Sequence, residues 1–218
     1  MPAVLSLAVD ARDLTRDHRG IGRYARAVLR RLAARDDIAL TLLTAGFFAG
    51  RARADLAAAI GTPQFAHARR IPRSIDVVWH PANRTVFSRR GVPNVVTIHD
   101  VVPFRYPPQD MRQREHEQAP FLRSAREARA CIAVSRFGKR EISQVLKIAS
   151  ERITAIYHGV ERSFTPGDAL AIPSTLQSQE YLLFVGDPQA EPRKNFEVIY
   201  EAYCAAWPAF DGPQLAIV

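Results

Sequence analysis

The sequence predicts an α/β fold built on a parallel sheet, and three observations support that prediction. Short apolar runs rich in Val, Ile and Leu alternate with longer segments of helical periodicity along most of the chain. That is the pattern of strands buried on both faces and covered by helices. Several runs end in a polar or charged turn, as at Val9-Asp10, Trp79-His80 and Ile98-His99-Asp100, and parallel sheets gather ligand chemistry at strand carboxyl ends. Finally, Gly20-Ile-Gly-Arg-Tyr-Ala25 opens a helical stretch, where free amides and the helix dipole favour an anion.

Taken in order, strands are expected over residues 4–9, 38–44, 76–80, 95–99, 131–134, 153–157, 182–185 and 215–218, each a compact apolar run. Helices are expected over 21–34, 52–60, 111–130, 139–148 and 196–207. In the first helix Ile21, Tyr24, Val28, Leu29 and Leu32 form an apolar stripe, with Arg23, Arg26 and Arg30 on another face. Pro120 should kink or break the 111–130 helix, because it lacks the N–H and crowds the preceding turn. Ser135, directly after a strand, fits a helix N-cap. A boundary is expected near 164–179, where Pro166, Gly167 and Pro173 stand among Ser, Thr and Gln without periodicity. Residues 1–165 form the first domain, 166–180 a linker, and 181–218 the incomplete beginning of a second Rossmann-like domain. The last apolar run ends at Val218, and a lone βαβ unit does not bury both sheet faces. The expectation is the front part of a longer two-domain protein, inactive by itself.

The chain has 218 residues, 47% of them hydrophobic and 24% charged, with formal net charge +8. Such a balance favours anionic partners. Arg residues are scattered without interleaved aromatics, which argues against nucleic acid. No apolar run is long enough to span a bilayer, and the N-terminus reads as a strand rather than a signal peptide. Cys131 and Cys204 read as buried thiols in a reducing cytosol. The localisation expected is cytoplasmic.

His99 supplies a titratable group at one strand end, and Arg193 and Lys194 supply fixed positive charge after another, together suggesting a site for a phosphorylated substrate. His80, at the end of its own strand, is either a cleft residue or a structural histidine. His158 before Gly159 is expected in an interdomain hinge. The glycine motif admits a dinucleotide-dependent oxidoreductase. Against it, about ten residues separate the strand from Gly20, and Thr44-Ala45-Gly46 stands where an acidic residue is expected. Neither D-x-D nor a metal-ligand spacing occurs.

Several motifs then converge. Val9-Asp-Ala-Arg12 with Arg19-Gly-Ile-Gly-Arg-Tyr-Ala25, Val95-Val-Thr-Ile-His-Asp-Val-Val-Pro-Phe-Arg-Tyr-Pro107 and Ile132-Ala-Val-Ser-Arg-Phe-Gly-Lys139 come first. Ile153-Thr-Ala-Ile-Tyr-His-Gly-Val-Glu161 with Phe164 and Pro166, and Leu182-Leu-Phe-Val-Gly186 with Glu191-Pro-Arg-Lys-Asn195, follow. In this order the set resembles the GT-B glycosyltransferases of family 4, the retaining group that includes many bacterial mannosyltransferases. The resemblance implies two facing Rossmann-like domains and transfer of a sugar, with mannose from GDP-mannose favoured, from a nucleotide sugar to a glycan or lipid-diphosphate-linked acceptor. It assigns His99 to the reaction centre, Gly20 and Gly22 to the donor diphosphate, and Arg193 and Lys194 to the leaving diphosphate, with no metal or other cofactor. Asp100, His80 and Ser135 become acceptor or cleft candidates. It also implies a place in surface-polysaccharide or lipopolysaccharide assembly. Arg112, Arg114, Arg123, Arg126 and Arg129 read first as a solvated face, and second as a candidate contact with a lipid-diphosphate acceptor or with anionic membrane on its inner face. Two features depart from the family. No two Glu residues have the E-x₇-E spacing of the donor domain, and the turn from Gly186 to Glu191 is long and carries Asp187. A non-catalytic remnant acting as a binding module is the alternative these departures leave open.

Overall fold

The computed structural model describes residues 4–14, 20–45, 49–61, 63–85, 87–161, 180–189, 191–209 and 212–218. Residues 166–179 of the expected 166–180 linker lie outside them, as do Arg19 and Phe164. The chain divides into two compact units, Met1–Gly159 and Val160–Val218.

In the first unit the described residues form a seven-stranded, wholly parallel sheet. Its strands are β1 (Leu5–Asp10), β2 (Ile38–Thr44), β3 (Gln64–His67), β4 (Val77–His80), β5 (Asn94–Ile98), β6 (Ala130–Ala133) and β7 (Ile153–Ala155), in the spatial order β3-β2-β1-β4-β5-β6-β7. The helices are α1 (Gly20–Ala33), α2 (Ala49–Ile60), α3 (Val102–Arg105), α4 (Met111–Glu127) and α5 (Arg136–Leu146). This is the α/β sheet that the sequence pattern predicts.

Because side chains alternate across a strand, neighbouring residues feed opposite layers. Leu7 and Val9 pack with Leu29 of α1 and Leu56 of α2, while Ala8 joins Leu43, Ile75 and Val78 on the other face. On β5, Val95 packs with the first cluster, while Val96 and Ile98 meet Phe121 of α4 and Ile142 of α5. Helices therefore cover both faces, and the strands are buried enough to need the apolar runs that mark them.

Two elements escape the sequence pattern. β3 reads Gln-Phe-Ala-His, too short and polar to stand out, and exists because it pairs with β2 from Thr41 to Thr44. The single turn α3 contains Pro103, which is tolerated in a first turn. The expected break at Pro120 does not occur, and α4 runs unbroken from Met111 to Glu127. Residue 116, whose carbonyl has no N–H to accept from at Pro120, is exposed.

The second unit contains β8 (Tyr181–Phe184), α6 (Phe196–Ala206) and β9 (Gln214–Ile217), with β8 and β9 parallel in register Tyr181 to Gln214. Cys131 and Cys204 are both free thiols. Among the described residues no helix is long and apolar enough to cross a membrane.

Candidate functional site

From β1 the chain steps outward to β2 and β3, then returns to β4 on the other side of β1. A reversal of this kind opens a crevice beyond the strand carboxyl ends, where open α/β sheets bind ligands. Asp10 ends β1, His80 ends β4, and His99 follows β5. All three belong to that end of the sheet.

Asp10 and His80 form its buried floor. Arg12 grips Asp10 in a fork, Nε to Oδ1 at 2.8 Å and Nη2 to Oδ2 at 2.9 Å. Burial opposes ionisation of Asp10, yet His80 and Arg12 outweigh it and hold its pKa at about 2. The Nδ1 of His80 lies 3.6 Å from Asp10 Oδ2, an electrostatic approach too long for a hydrogen bond. His80 is 0% exposed and packs at 5.1 Å against the Phe87 ring, over which Arg12 also sits. Its ring is buried, and neither ring nitrogen has a hydrogen-bond partner among the described residues.

His99 is only partly buried and is held from two sides. Its backbone N–H donates to Asn83 Oδ1 at 2.7 Å, and its Nε2 lies 2.8 Å from the Pro81 carbonyl oxygen. A carbonyl only accepts, so Nε2 carries the proton and Nδ1 is left as an acceptor. Burial lowers the His99 pKa, the Pro81 bond opposes that, and His158 adds to it. The ring is walled by Tyr24, edge-on at 5.0 Å, and by His158 at 5.6 Å. Tyr24 and His158 stack at 4.6 Å. Trp79 meets Tyr24 edge-on and donates from Nε1 to Thr97 Oγ1 at 2.9 Å.

Sequence reasoning missed this wall. Tyr24 read as one member of an apolar helical stripe, although it sits inside the Gly20–Ala25 motif, and that position was the available signal. His158 stands at the end of the first unit, next to Gly159, and its approach to Tyr24, like the parts played by Thr97 and Asn83, carries no signal in the sequence.

Gly20 is the first residue of α1 and is exposed; Gly22, two residues on, is buried. The same helix carries Tyr24 to His99, so the candidate anion-binding helix start and the histidine belong to one assembly. Residues 15–19 of the loop before it lie outside the described residues.

A cavity of about 490 Å³ adjoins His99 and is lined also by Asp100, Ser135, Arg105 and Glu141. Ser135 caps α5, its Oγ accepting from the Gly138 N–H at 2.9 Å, as the sequence predicts. Asp100 Oδ1 accepts from the Val102 N–H at 3.1 Å. His99, Asp100 and Ser135 are therefore brought together.

In the second unit, Arg193 and Lys194 form a 3₁₀ turn, and both already have a partner in Glu191. Lys194 Nζ lies 2.7 Å from its Oε2, and Arg193 Nη2 lies 3.1 Å from its Oε1. Lys194 also donates to the Val185 carbonyl at 3.0 Å, crossing Gly186 so closely that a Cβ there would sit 2.6 Å from Nζ. The hydrogen bond from Lys194, with the Coulombic pull of both cations, holds the Glu191 carboxyl below its usual range. Among the described residues no three His, Cys, Asp or Glu side chains gather as a metal-holding group.

The fold is thus a parallel α/β sheet whose strand order reverses beside β1, with an aromatic-walled histidine at the strand carboxyl ends, where such sheets bind ligands. The family model of Glycosyltransferase Family 4 matches residues 18–164. The chain belongs to that family. Solved structures similar to it include a glycosyltransferase from Rickettsia africae ESF-5, at 13% identity and a TM-score of 0.45, covering 100% of this chain and 68% of that one. Another is the glycotransferase of kitacinnamycin, at 14% identity and a TM-score of 0.47, covering 100% of this chain and 65% of that one. The chain thus spans about two thirds of the length of these structures. No curated protein matches it.

Proposed function

We propose that the protein supplies the acceptor-side unit of a retaining glycosyltransferase that moves a hexosyl group, mannose by preference, from a nucleoside-diphosphate sugar to a glycan acceptor. The carrying observation is His99, held in one tautomer at the carboxyl end of β5 beside the helix that starts at Gly20. In this reading the bond from the sugar anomeric carbon to the diphosphate oxygen breaks. The acceptor oxygen bonds that carbon on the same face, and the acceptor proton passes to the departing phosphate.

Each residue has a role in that step. His99 accepts a hydrogen bond at Nδ1 from a hydroxyl of the transferred sugar and orients it. The start of α1 at Gly20 and Gly22 meets the donor diphosphate with backbone amides. Arg193 and Lys194 neutralise the charge that grows on the leaving group, a preorganised form of transition-state stabilisation. For that they must exchange Glu191 for phosphate oxygens. No metal is needed in this scheme, because the two cations do its electrostatic work. The family membership and the tautomer of His99 support the reading.

The test is transfer of radiolabelled sugar from GDP-mannose, with UDP-glucose as comparison, to lipid-linked and soluble glycan acceptors. The chain is assayed alone and in any longer form of the protein that carries it. Product with retained anomeric configuration and full activity in EDTA is the expected result. Inverted product, or activity lost in EDTA and restored by Mg²⁺, would refute the corresponding part of the scheme.

A further inference from the structure

Tyr24 of α1 meets rings from other parts of the first unit on several sides. Trp79 of β4 stands edge-on at 6.2 Å, His99 after β5 edge-on at 5.0 Å, and His158 after β7 stacks at 4.6 Å. Its hydroxyl is tied as well. Thr97, fully buried on β5, hydrogen-bonds the Tyr24 hydroxyl and accepts from Trp79 Nε1 at 2.9 Å. The register explains that junction. Trp79 pairs with Val95, so Thr97 lies two residues further along on the same face of the sheet. A threonine hydroxyl, with one proton and two lone pairs, serves both partners. The Tyr24 side chain is thus held from outside its own helix.

His99 needs a fixed neighbour of this kind. Its ring is bound at one atom, where Nε2 donates to the Pro81 carbonyl at 2.8 Å. An imidazole turns about a broad χ2 torsion, and His99 is only partly buried, so a ring that let go of Pro81 would find water. One hydrogen bond made in competition with water favours its own state about two- to tenfold. On that alone, about a tenth to a third of the rings would have swung away. An edge-on aromatic contact adds a preference of similar size, and Tyr24 crosses the His99 plane at 86°. The two preferences multiply, because a ring that swings away loses both contacts. Filling the apolar stripe of α1 does not call for tyrosine: Leu29 and Leu32 do so in the same cluster. What leucine lacks is the flat ring and the hydroxyl.

We propose that Tyr24 is a positioning residue for His99. Held by Thr97, Trp79 and His158, it stands edge-on to the imidazole and keeps the ring on Pro81, with Nδ1 as the open acceptor. The consequence for sugar transfer rests on the glycosyltransferase reading; the orientation of His99 does not.

The test is NMR of the histidine ring nitrogens and of the Tyr24 ring in the 218-residue chain at neutral pH. In the parent, His99 should be a single tautomer protonated at Nε2, with through-space contacts to the Tyr24 ring. In Tyr24→Leu the His99 nitrogen shifts should move toward the average of the two tautomers, as the population off Pro81 rises about two- to tenfold. Tyr24→Phe keeps the ring and should restore most of the parental signature. The charged groups facing His99 are His158 and Asp100. Both variants leave them in place, and burial keeps the Tyr24 hydroxyl protonated, so the change in tautomer is not a change of charge. Circular dichroism checks the fold, and Tyr24→Met makes the same comparison should Tyr24→Leu not fold. A parental His99 that is already a mixture of tautomers, or that has no contact with the Tyr24 ring, overturns the proposal. So does a folded Tyr24→Leu or Tyr24→Met protein with the parental tautomer.

A sugar-transfer assay separates this proposal from the reading beneath it. Tyr24→Leu should lower kcat about three- to tenfold with donor KM little changed, because reaction depends steeply on placement, and Tyr24→Phe should recover it. A changed tautomer with unchanged transfer would sink the role given to His99 in transfer and leave Tyr24 as its positioning residue. A lowered kcat with an unchanged tautomer would do the reverse.

Discussion

The two units of this chain contain the same kind of strand and end up with different surroundings. In Met1–Gly159, strands such as β2, β4 and β5 are sealed between layers, with Leu42, Val78, Val96 and Ile98 out of contact with water. In Val160–Val218, β8 and β9 pair in good register, yet Phe184 is the buried residue of β8 while its neighbour Leu183 is 55% exposed, and α6 has no buried residue. Strand pairing follows from local pattern and a nearby partner. Burial needs a second and third layer, and among the described residues only the first unit has them.

The ionic groups show the same difference. Asp10 with Arg12 and Glu191 with Lys194 and Arg193 are both carboxylates held by cations within hydrogen-bond distance. The first is largely buried at Asp10 and less screened by solvent; the second is more exposed and strongly screened. One fixes the floor of a site. The other is open to water.

Hydrogen exchange should expose the contrast most strongly. Amides of β1, β4 and β5 should exchange only on global opening, and those of β8 and β9 about a thousandfold faster or more, since opening the second unit uncovers little. Equal protection in both units would mean that the second is held by packing as extensive as the first. A smaller effect, on activity, is expected at His99. His99→Ala should lower transfer about 10²–10³-fold, the usual cost of one oriented polar contact in a transition state, with the unfolding midpoint of the first unit little changed. Because its folded pKa lies below 6.5, the neutral ring persists to lower pH than in a free histidine. The acid limb of the transfer profile should therefore fall below pH 6.5, and a limb above it would count against the buried, Pro81-bonded ring.

The smallest of the three compares the two carboxylates. Asp10→Asn should destabilise the first unit by about 2 kcal/mol, from a pKa displaced by nearly two units. Its folded pKa is below the unfolded value of 3.8, so this contribution is complete above pH 3.8 and disappears as pH falls toward 2. Glu191→Gln should leave the denaturation midpoint where it is. Urea unfolding of both variants between pH 2 and 7 reads the difference. Equal effects would show that burial does not separate the pairs.

Much of this was legible in advance. The apolar runs located β1, β2, β4, β5, β6, β7, β8 and β9 to within a few residues, because buried parallel strands leave no room for polar side chains. β3 was not legible, since an edge strand of four residues with Gln64 and His67 at its ends is made by its neighbour and not by its composition. At the site, the strand-end position of His99 and the cap at Ser135 were readable from sequence. The ring of Tyr24 against His99 was not, because helical periodicity places a residue on a face without saying what that face meets.

The sequence by itself determined where strands and helices form, which polar groups stand at strand ends, and the ordered motifs that mark the family. These are local properties, set by side-chain periodicity and turn chemistry. Tertiary structure alone decided that His80 is buried beside Asp10 while His99 is open to a cavity, although both end a strand. It also decided that His158 reaches Tyr24 across most of the chain, and that Arg105 is spent on Glu141. Those outcomes depend on strand order and on which helix covers which face. They are long-range choices, fixed only when the layers close and each strand end is either covered or left open to water.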